Sequence, residues 1–283
     1  MAGKQSPIIY PMTVPTLTPS IILTILFLST SSLHLYRMIK FRRPIYSYLF
    51  AFSFVRLLLF IVRTAWSTIY HSITLNIITR VLLVGGFFII IEALYTLLTD
   101  WLIITLIGET STSNYNHNNE EGDAIIPKFT KYTIKFIKFF VLIILSIINI
   151  IGEIIEFDDS GRLIGQVFIK ASSLGYLVIV VIYMLFITYF VLKCHTGILL
   201  HKKLKASVLY IGGALMLIEL AYRIFITFSD PGDPIKRIEW GFYIFEILPE
   251  LILLIVFGGV ILGEWFYNKN IIDDIEIGGN NKQ

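Results

Sequence analysis

Seven long apolar stretches divide the sequence, and each is long enough to cross a lipid bilayer. The hydrocarbon core of a bilayer is spanned by about 20 apolar residues, each adding about 1.5 Å to a helix. Seven such stretches in succession predict an all-α, polytopic membrane protein with seven transmembrane helices in one bundle. The predicted spans are Pro19–Met38, Ile45–Tyr70, Leu75–Leu106, Tyr132–Ile155, Leu163–Leu192, Ser207–Phe228 and Trp240–Tyr267.

Composition leaves little of the chain for folded domains outside the membrane. Hydrophobic residues make up 56% of the sequence, and its mean hydropathy of +0.78 is far above that of globular proteins. We expect a lumenal or extracellular segment over residues 1–18, a seven-helix domain over 19–267 and a polar cytosolic tail over 268–283. Inside the domain, the asparagine-rich loop over 108–128 has too few apolar residues to fold, and we expect it to be disordered.

Basic residues separate the connections between spans into two sets. Cytosolic loops accumulate lysine and arginine, and the first, third and fifth connections carry most of them. This pattern predicts an N-terminus in the lumen or outside the cell and a cytosolic C-terminus. The single cysteine, Cys194, excludes an intrachain disulfide, and the chain has no Asn-x-Ser/Thr acceptor. Both features favour an internal membrane over the cell surface.

Three lysines at helical spacing lie at the cytosolic start of the fourth span: Lys131, Lys135 and Lys138. Long basic side chains at this depth can reach the interface and bind anionic lipid headgroups. We therefore expect membrane lipids as partners on the cytosolic face, with the basic loops also available to partner proteins. We expect no nucleic-acid partner.

Ionisable residues occur inside the predicted spans, where an unpaired charge is costly and marks a partner or a pathway. We predict an intramembrane charge network. Its members are Arg56, Arg63, Glu92, Asp100, Glu219, Arg223 and Glu246.

Counting from the loop centres gives the depth of each charge. Arg223 lies about eleven residues before Pro234, and Glu246 lies about twelve after it, so an Arg223–Glu246 ion pair is expected between antiparallel helices. Glu219, one turn before Arg223 on the same helix, competes for the same guanidinium or shares it.

A second, looser pairing is expected between the second and third spans. Arg56 and Glu92 lie about sixteen and twenty residues from the loop centre near Ser72. Arg63 is two turns from Arg56 on the face expected to point into the bundle. Asp100, near the cytosolic end of its span, is expected within reach of Arg42 or Arg43. These charges either lock the bundle together or line a polar cavity for a ligand, headgroup or ion.

Recognisable catalytic and cofactor-binding patterns are missing from the sequence. Four of the five histidines lie in or near loops, which leaves no intramembrane site of three histidines for zinc. The sequence has no glycine-rich phosphate-binding loop with its lysine, and no nucleophile with a base in reach. We expect a non-enzymatic protein without a cofactor.

Motifs in three spans together resemble a known family. The second span carries Arg56 in an apolar run, the third carries Tyr95-Thr96-Leu97-Leu98 shortly before Trp101, and the seventh reads Glu246-Ile247-Leu248-Pro249. This combination resembles the plant tobamovirus-multiplication family of seven-helix proteins and their animal lysosomal orphan-receptor-like relatives. The family motif residues are Tyr95, Trp101 and Pro249, and Glu250 stands where the family has a small residue. The resemblance implies a scaffold or receptor-like protein of vacuolar or lysosomal membranes.

A second resemblance is to the fungal lipid-translocating exporter family, which also has seven spans. It implies a transporter of lipids or small molecules that uses the buried charges as its pathway. The residues similar to its pattern are Phe27, His34, Arg63, Tyr222, Arg223, Glu239, Trp240 and Tyr243.

Overall fold

The computed structural model describes residues 15–69, 72–113, 140–157, 160–193, 200–229 and 239–259. In these ranges the chain is helical with short connections and contains no strand, so the all-α prediction is confirmed there. The helices are α1 (Leu17–Phe41), α2 (Pro44–Thr68), α3 (Ile73–Ser113), α4 (Leu142–Ile155), α5 (Arg162–Lys193), α6 (Leu200–Phe228) and α7 (Glu239–Gly259).

Six of these helices, all except α4, are long and apolar enough to cross a membrane. They are consistent with a multi-pass integral membrane protein. The helix α4 is also apolar, but its described part has only 14 residues. The predicted fourth span begins at Tyr132, and its first residues lie outside the described ranges.

The distribution of side chains on α4 indicates an apolar surrounding and not water. Ile144 is 52% exposed, whereas Ser146 is only 8% exposed and its hydroxyl lies 2.6 Å from that of Tyr176 on α5. A helix with its isoleucines outside and its polar residues inside is the reverse of a helix in a water-soluble protein. The exposed isoleucines of α4 are Ile143, Ile144, Ile147, Ile151 and Ile154.

Consecutive helices pack against one another, and α7 also contacts α1. Among the six long helices, α3 is the most buried and α1 the least. The helix α3 contacts α2, α4, α5 and α6, so it lies at the centre of the described structure. Side chains that point inward from α3 therefore meet several helices at once.

Two helix ends lie seven residues beyond the predicted spans. The helix α3 continues to Ser113, so the first part of the loop expected to be disordered over 108–128 is helical. The backbone hydrogen bonding of the apolar turns simply continues into these polar residues, because a helix already nucleated is extended at little cost. The helix α6 begins at Leu200, seven residues before the predicted Ser207, so Lys202, Lys203 and Lys205 are helical.

Candidate functional site: a buried charge cluster

The most buried ion pair joins α2 to α7. Nε of Arg56 donates to Oε2 of Glu250 at 2.6 Å, and Nη2 of Arg56 binds Oε1 of the same carboxylate. Both side chains are completely buried. This two-pronged contact is the strong form of an arginine–carboxylate pair.

The remaining donors of Arg56 bind the backbone of α3. Nη1 of Arg56 lies 3.1 Å from the carbonyl oxygen of Leu83 and 3.4 Å from that of Leu82. The guanidinium occupies the space above Gly86, where a Cβ atom would lie 2.7 Å from Cζ of Arg56. Arg56 thus links α2, α3 and α7 at one point.

A second group of charges surrounds Arg223 on α6. Nη2 of Arg223 lies 2.7 Å from Oε1 of Glu246 on α7 and 2.9 Å from Oε1 of Glu219, one turn earlier on α6. Neither contact has the angles of a hydrogen bond, so we describe both as close ionic contacts. The guanidinium also lies over the ring of Phe87, 4.4 Å from its centre.

The two groups interact with each other. Glu219 lies close enough to Glu250 and Arg56 for electrostatic interaction, as Glu250 does to Arg223. We call these five residues, Arg56, Glu219, Arg223, Glu246 and Glu250, the central cluster. It contains three carboxylates and two guanidinium groups from α2, α6 and α7.

The helix α7 presents two of the carboxylates next to an irregular turn. Residues Tyr243–Ile247 form a π-helical turn, in which the N–H of Leu248 donates to the carbonyl of Tyr243. Pro249 has no N–H to offer the carbonyl four residues earlier, so a regular α-helical ladder cannot run through this point. Such turns are common at functional sites, and this one contains Glu246 and lies one turn before Glu250.

A separate ion pair involves Arg63, two turns after Arg56 on α2. Arg63 is 2% exposed, its Nη2 lies 3.4 Å from Oε1 of Glu239, and it stacks over the ring of Phe242 at 4.4 Å. Oε1 of Glu239 also accepts hydrogen bonds from the backbone N–H of Thr16 and the hydroxyl of Tyr243. Arg56 and Arg63 are both buried, so the prediction that they share an inward face is confirmed.

Arg80 forms a third group at the ends of α3 and α4. Its Nη1 lies 2.8 Å from Oε2 of Glu153 and 2.8 Å from Oε2 of Glu156, and the guanidinium stacks over Phe157. Arg80 and Glu153 lie near the ends of their spans, where long side chains often reach water. They instead bind each other across the helix pair.

The structure brings together the predicted pair Arg223 and Glu246, and Glu219 shares the same guanidinium. The expected pairing of Arg56 with Glu92 is wrong. Glu92 is buried, but it lies four residues deeper than Arg56, which is about 6 Å along a helix axis, and Glu250 forms the ion pair instead. Asp100 is half-buried on α3, and its expected approach to Arg42 or Arg43 stays a prediction.

Sequence reasoning missed the role of Glu250, although the depth count contained the signal. Arg56 lies sixteen residues before Ser72, and Glu250 lies sixteen residues after Pro234. The two charges are therefore level if both loops lie at the same face of the membrane. The pairing of Glu239 with Arg63 was also missed, because the predicted seventh span begins at Trp240, one residue after Glu239.

The residues of the family motif lie in the core. The hydroxyl of Tyr95 donates to the carbonyl of Ile179 at 2.7 Å, Trp101 is 3% exposed, and Pro249 is buried on α7. The three lysines expected at lipid headgroups, Lys131, Lys135 and Lys138, lie outside the described residues.

Within the described residues, no group of three or more His, Cys, Asp or Glu side chains could hold a metal ion. Comparison of the chain with family models, curated proteins and solved structures found no match. The chemistry available to the central cluster follows from its own charges.

Proposed function

We propose that this chain is a non-enzymatic, seven-span scaffold or receptor-like protein of an endomembrane of the vacuolar or lysosomal type. The observation that carries the proposal is the Arg56–Glu250 pair, which is completely buried and bound to the backbone of α3. Charges used in this way hold helices in one arrangement. A bundle held in one arrangement presents a constant set of cytosolic loops.

We further propose membership of the plant tobamovirus-multiplication family and its animal lysosomal relatives. Burial of Tyr95, Trp101 and Pro249 supports this proposal, because the residues that carry the resemblance then determine how the helices pack. The proposed orientation has a lumenal N-terminus and a cytosolic C-terminus. The basic loops then face anionic headgroups and partner proteins in the cytosol.

A second candidate is a lipid or small-molecule transporter of the fungal exporter type. It is favoured by the central cluster, in which three carboxylates face two guanidinium groups, and by the π-helical turn of α7 beside them. Irregular turns and unbalanced charges inside spans are features of substrate and ion pathways.

Reconstitution separates the two functions. Purified full-length protein in liposomes would be assayed for scrambling of fluorescent phospholipids and for release of small solutes, against protein-free liposomes. The scaffold proposal expects rates equal to the protein-free control, and a fluorescently tagged chain in acidic organelles of the cell. Scrambling or release that disappears in Arg223→Gln would overturn it in favour of transport.

A further inference from the structure

The central cluster has an imbalance of charge inside a buried site. With every group ionised, its three carboxylates and two guanidinium groups carry a formal charge of −1. Two other arginines of these helices, Arg63 and Arg80, form ion pairs with acids outside the cluster and do not compensate this charge. An uncompensated charge away from water is costly, so a buried site of this composition takes up one positive charge.

Glu219 is the member of the cluster whose charge is least compensated. Glu250 has a two-pronged contact with Arg56, and Glu246 is the nearer of the two carboxylates on Arg223, at 2.7 Å against 2.9 Å for Glu219. The Glu219 side chain is completely buried, and among the described residues neither of its oxygens has a hydrogen-bond partner. It nevertheless points into the cluster, because Oε1 is the atom in contact with Arg223.

The surroundings of Glu219 supply more negative than positive charge. The groups that interact with it electrostatically are Arg56 of α2, Arg223 of its own helix, and Glu246 and Glu250 of α7. Tyr176 of α5 and Tyr222 of α6 stand beside Arg223 and Glu246 respectively, and both are neutral in their ordinary protonated form. From α3, the side of Arg223 is covered by the apolar ring of Phe87.

We propose that the central cluster is a proton-binding site, with the proton on the carboxyl group of Glu219. A proton is the positive charge that best fits the geometry, because it needs no coordination shell. In the described part of the chain, no group of His, Cys, Asp and Glu side chains is suited to a metal ion. The assignment concerns the site itself, so it applies equally to a scaffold and to a transporter.

Infrared spectroscopy of the purified full-length protein tests this assignment, because a protonated carboxylic acid has a carbonyl stretching band well separated from carboxylate bands. The wild-type protein at neutral pH is expected to show this band, with a small downshift in D₂O. Glu219→Gln leaves two carboxylates facing two guanidinium groups, and the band is expected to disappear. Glu92→Gln is the matched control, since Glu92 is a buried carboxyl outside the cluster, and it is expected to keep the band.

Each other outcome overturns the proposal. No band in the wild type at neutral pH means that no carboxyl holds a proton, and a band lost in Glu92→Gln but kept in Glu219→Gln places the proton elsewhere. A wild type without the band, whose thermal unfolding midpoint rises with added Na⁺ or K⁺ against N-methylglucamine, would assign the charge to a metal cation. If Glu219→Gln does not fold, the wild type and Glu92→Gln still test the proposal. A band that disappears in Glu92→Gln places the proton on Glu92 and not in the central cluster.

Discussion

At the scale of single residues, depth in the bundle decides which charge binds which. Arg56 could in principle have met Glu92 on the adjacent helix, yet it binds Glu250 on α7. Glu250 is level with it, whereas Glu92 is displaced by more than one turn of helix. Arg223 and Glu246 obey the same rule. Long side chains inside the bundle therefore tolerate a mismatch of less than one turn, since the alternative is a buried charge without a partner.

The two acids that α7 contributes to the central cluster should differ in their contribution to stability. Replacing Glu250 with Gln leaves the buried guanidinium of Arg56 without its carboxylate, and breaking a buried pair in this way costs about 3–5 kcal/mol. Replacing Glu246 with Gln should cost less, because Glu219, which lies 2.9 Å from Arg223, can then lose its proton and pair with Arg223 as a carboxylate. Thermal unfolding of the purified protein in detergent measures both changes. Equal shifts in the unfolding midpoint would show that Glu219 does not substitute for Glu246.

The Arg223–Glu246 contact should appear as energetic coupling. In a double-mutant cycle of Arg223→Gln and Glu246→Gln, the double variant should be more stable than the sum of the single losses predicts, by about 0.5–3 kcal/mol. Exchanging the two residues, Arg223→Glu with Glu246→Arg, should recover part of the loss. Strictly additive effects would mean that the 2.7 Å contact contributes nothing. Arg223→Gln combined with Arg80→Gln provides a control cycle, since Arg80 binds Glu153 and Glu156 and not the central cluster.

At the scale of helices, sequence reasoning located the long apolar helices well and their irregularities poorly. Apolar runs of more than about 20 residues placed α2 and α5 within two residues of their observed ends. Periodicity alone could not predict the π-helical turn at Tyr243–Ile247, although Pro249 marked where the ladder must be interrupted. The contact of Arg56 with α3 was also beyond reach, because it depends on the small size of Gly86.

The two adjacent glycines of α3 offer a matched test of this close approach. A Cβ at Gly86 would lie 2.7 Å from Cζ of Arg56, whereas a Cβ at Gly85 would have no atom within 4 Å. The guanidinium can yield only by leaving Glu250 or the carbonyls of α3, so Gly86→Ala should destabilise the protein by about 1–3 kcal/mol. Gly85→Ala should be neutral or slightly stabilising, because alanine favours helix. Equal unfolding midpoints for the two variants would mean that Arg56 moves without cost.

At the scale of the whole molecule, apolar side chains lie outside and polar ones inside, which is the distribution expected for helices surrounded by lipid. Isoleucines cover the outside of α4, while Ser146, Glu219 and Arg56 are buried. Polar side chains inside the bundle bind across helices, as Tyr95 does to α5 and Tyr210 to Thr188. Without water to drive apolar faces together, these bonds and close packing are what hold neighbouring helices.

The orientation of the bundle can be tested by labelling introduced cysteines, because the chain has only one native cysteine to remove. In a Cys194→Ser background, the cysteine of Ser113→Cys should react with an impermeant maleimide added on the cytosolic side. The helix α3 ends at Ser113, and the connection that follows it is predicted to be cytosolic. A cysteine at Ser160, in the connection between α4 and α5, should react only from the lumen. Ser160 is exposed and is preferable to its neighbour Gly161, where a Cβ would lie 2.5 Å from Ile155.

Labelling would be measured on sealed organelles and again after permeabilisation, with the Cys194→Ser protein as the unreactive control. The basic connections predict reaction of Ser113→Cys in sealed organelles and of Ser160→Cys only after permeabilisation. The opposite pattern would reverse the orientation and place the basic loops in the lumen. Reaction of both cysteines from one side would mean that α4 does not cross the membrane. That result would leave the six long helices as the only spans among the described residues.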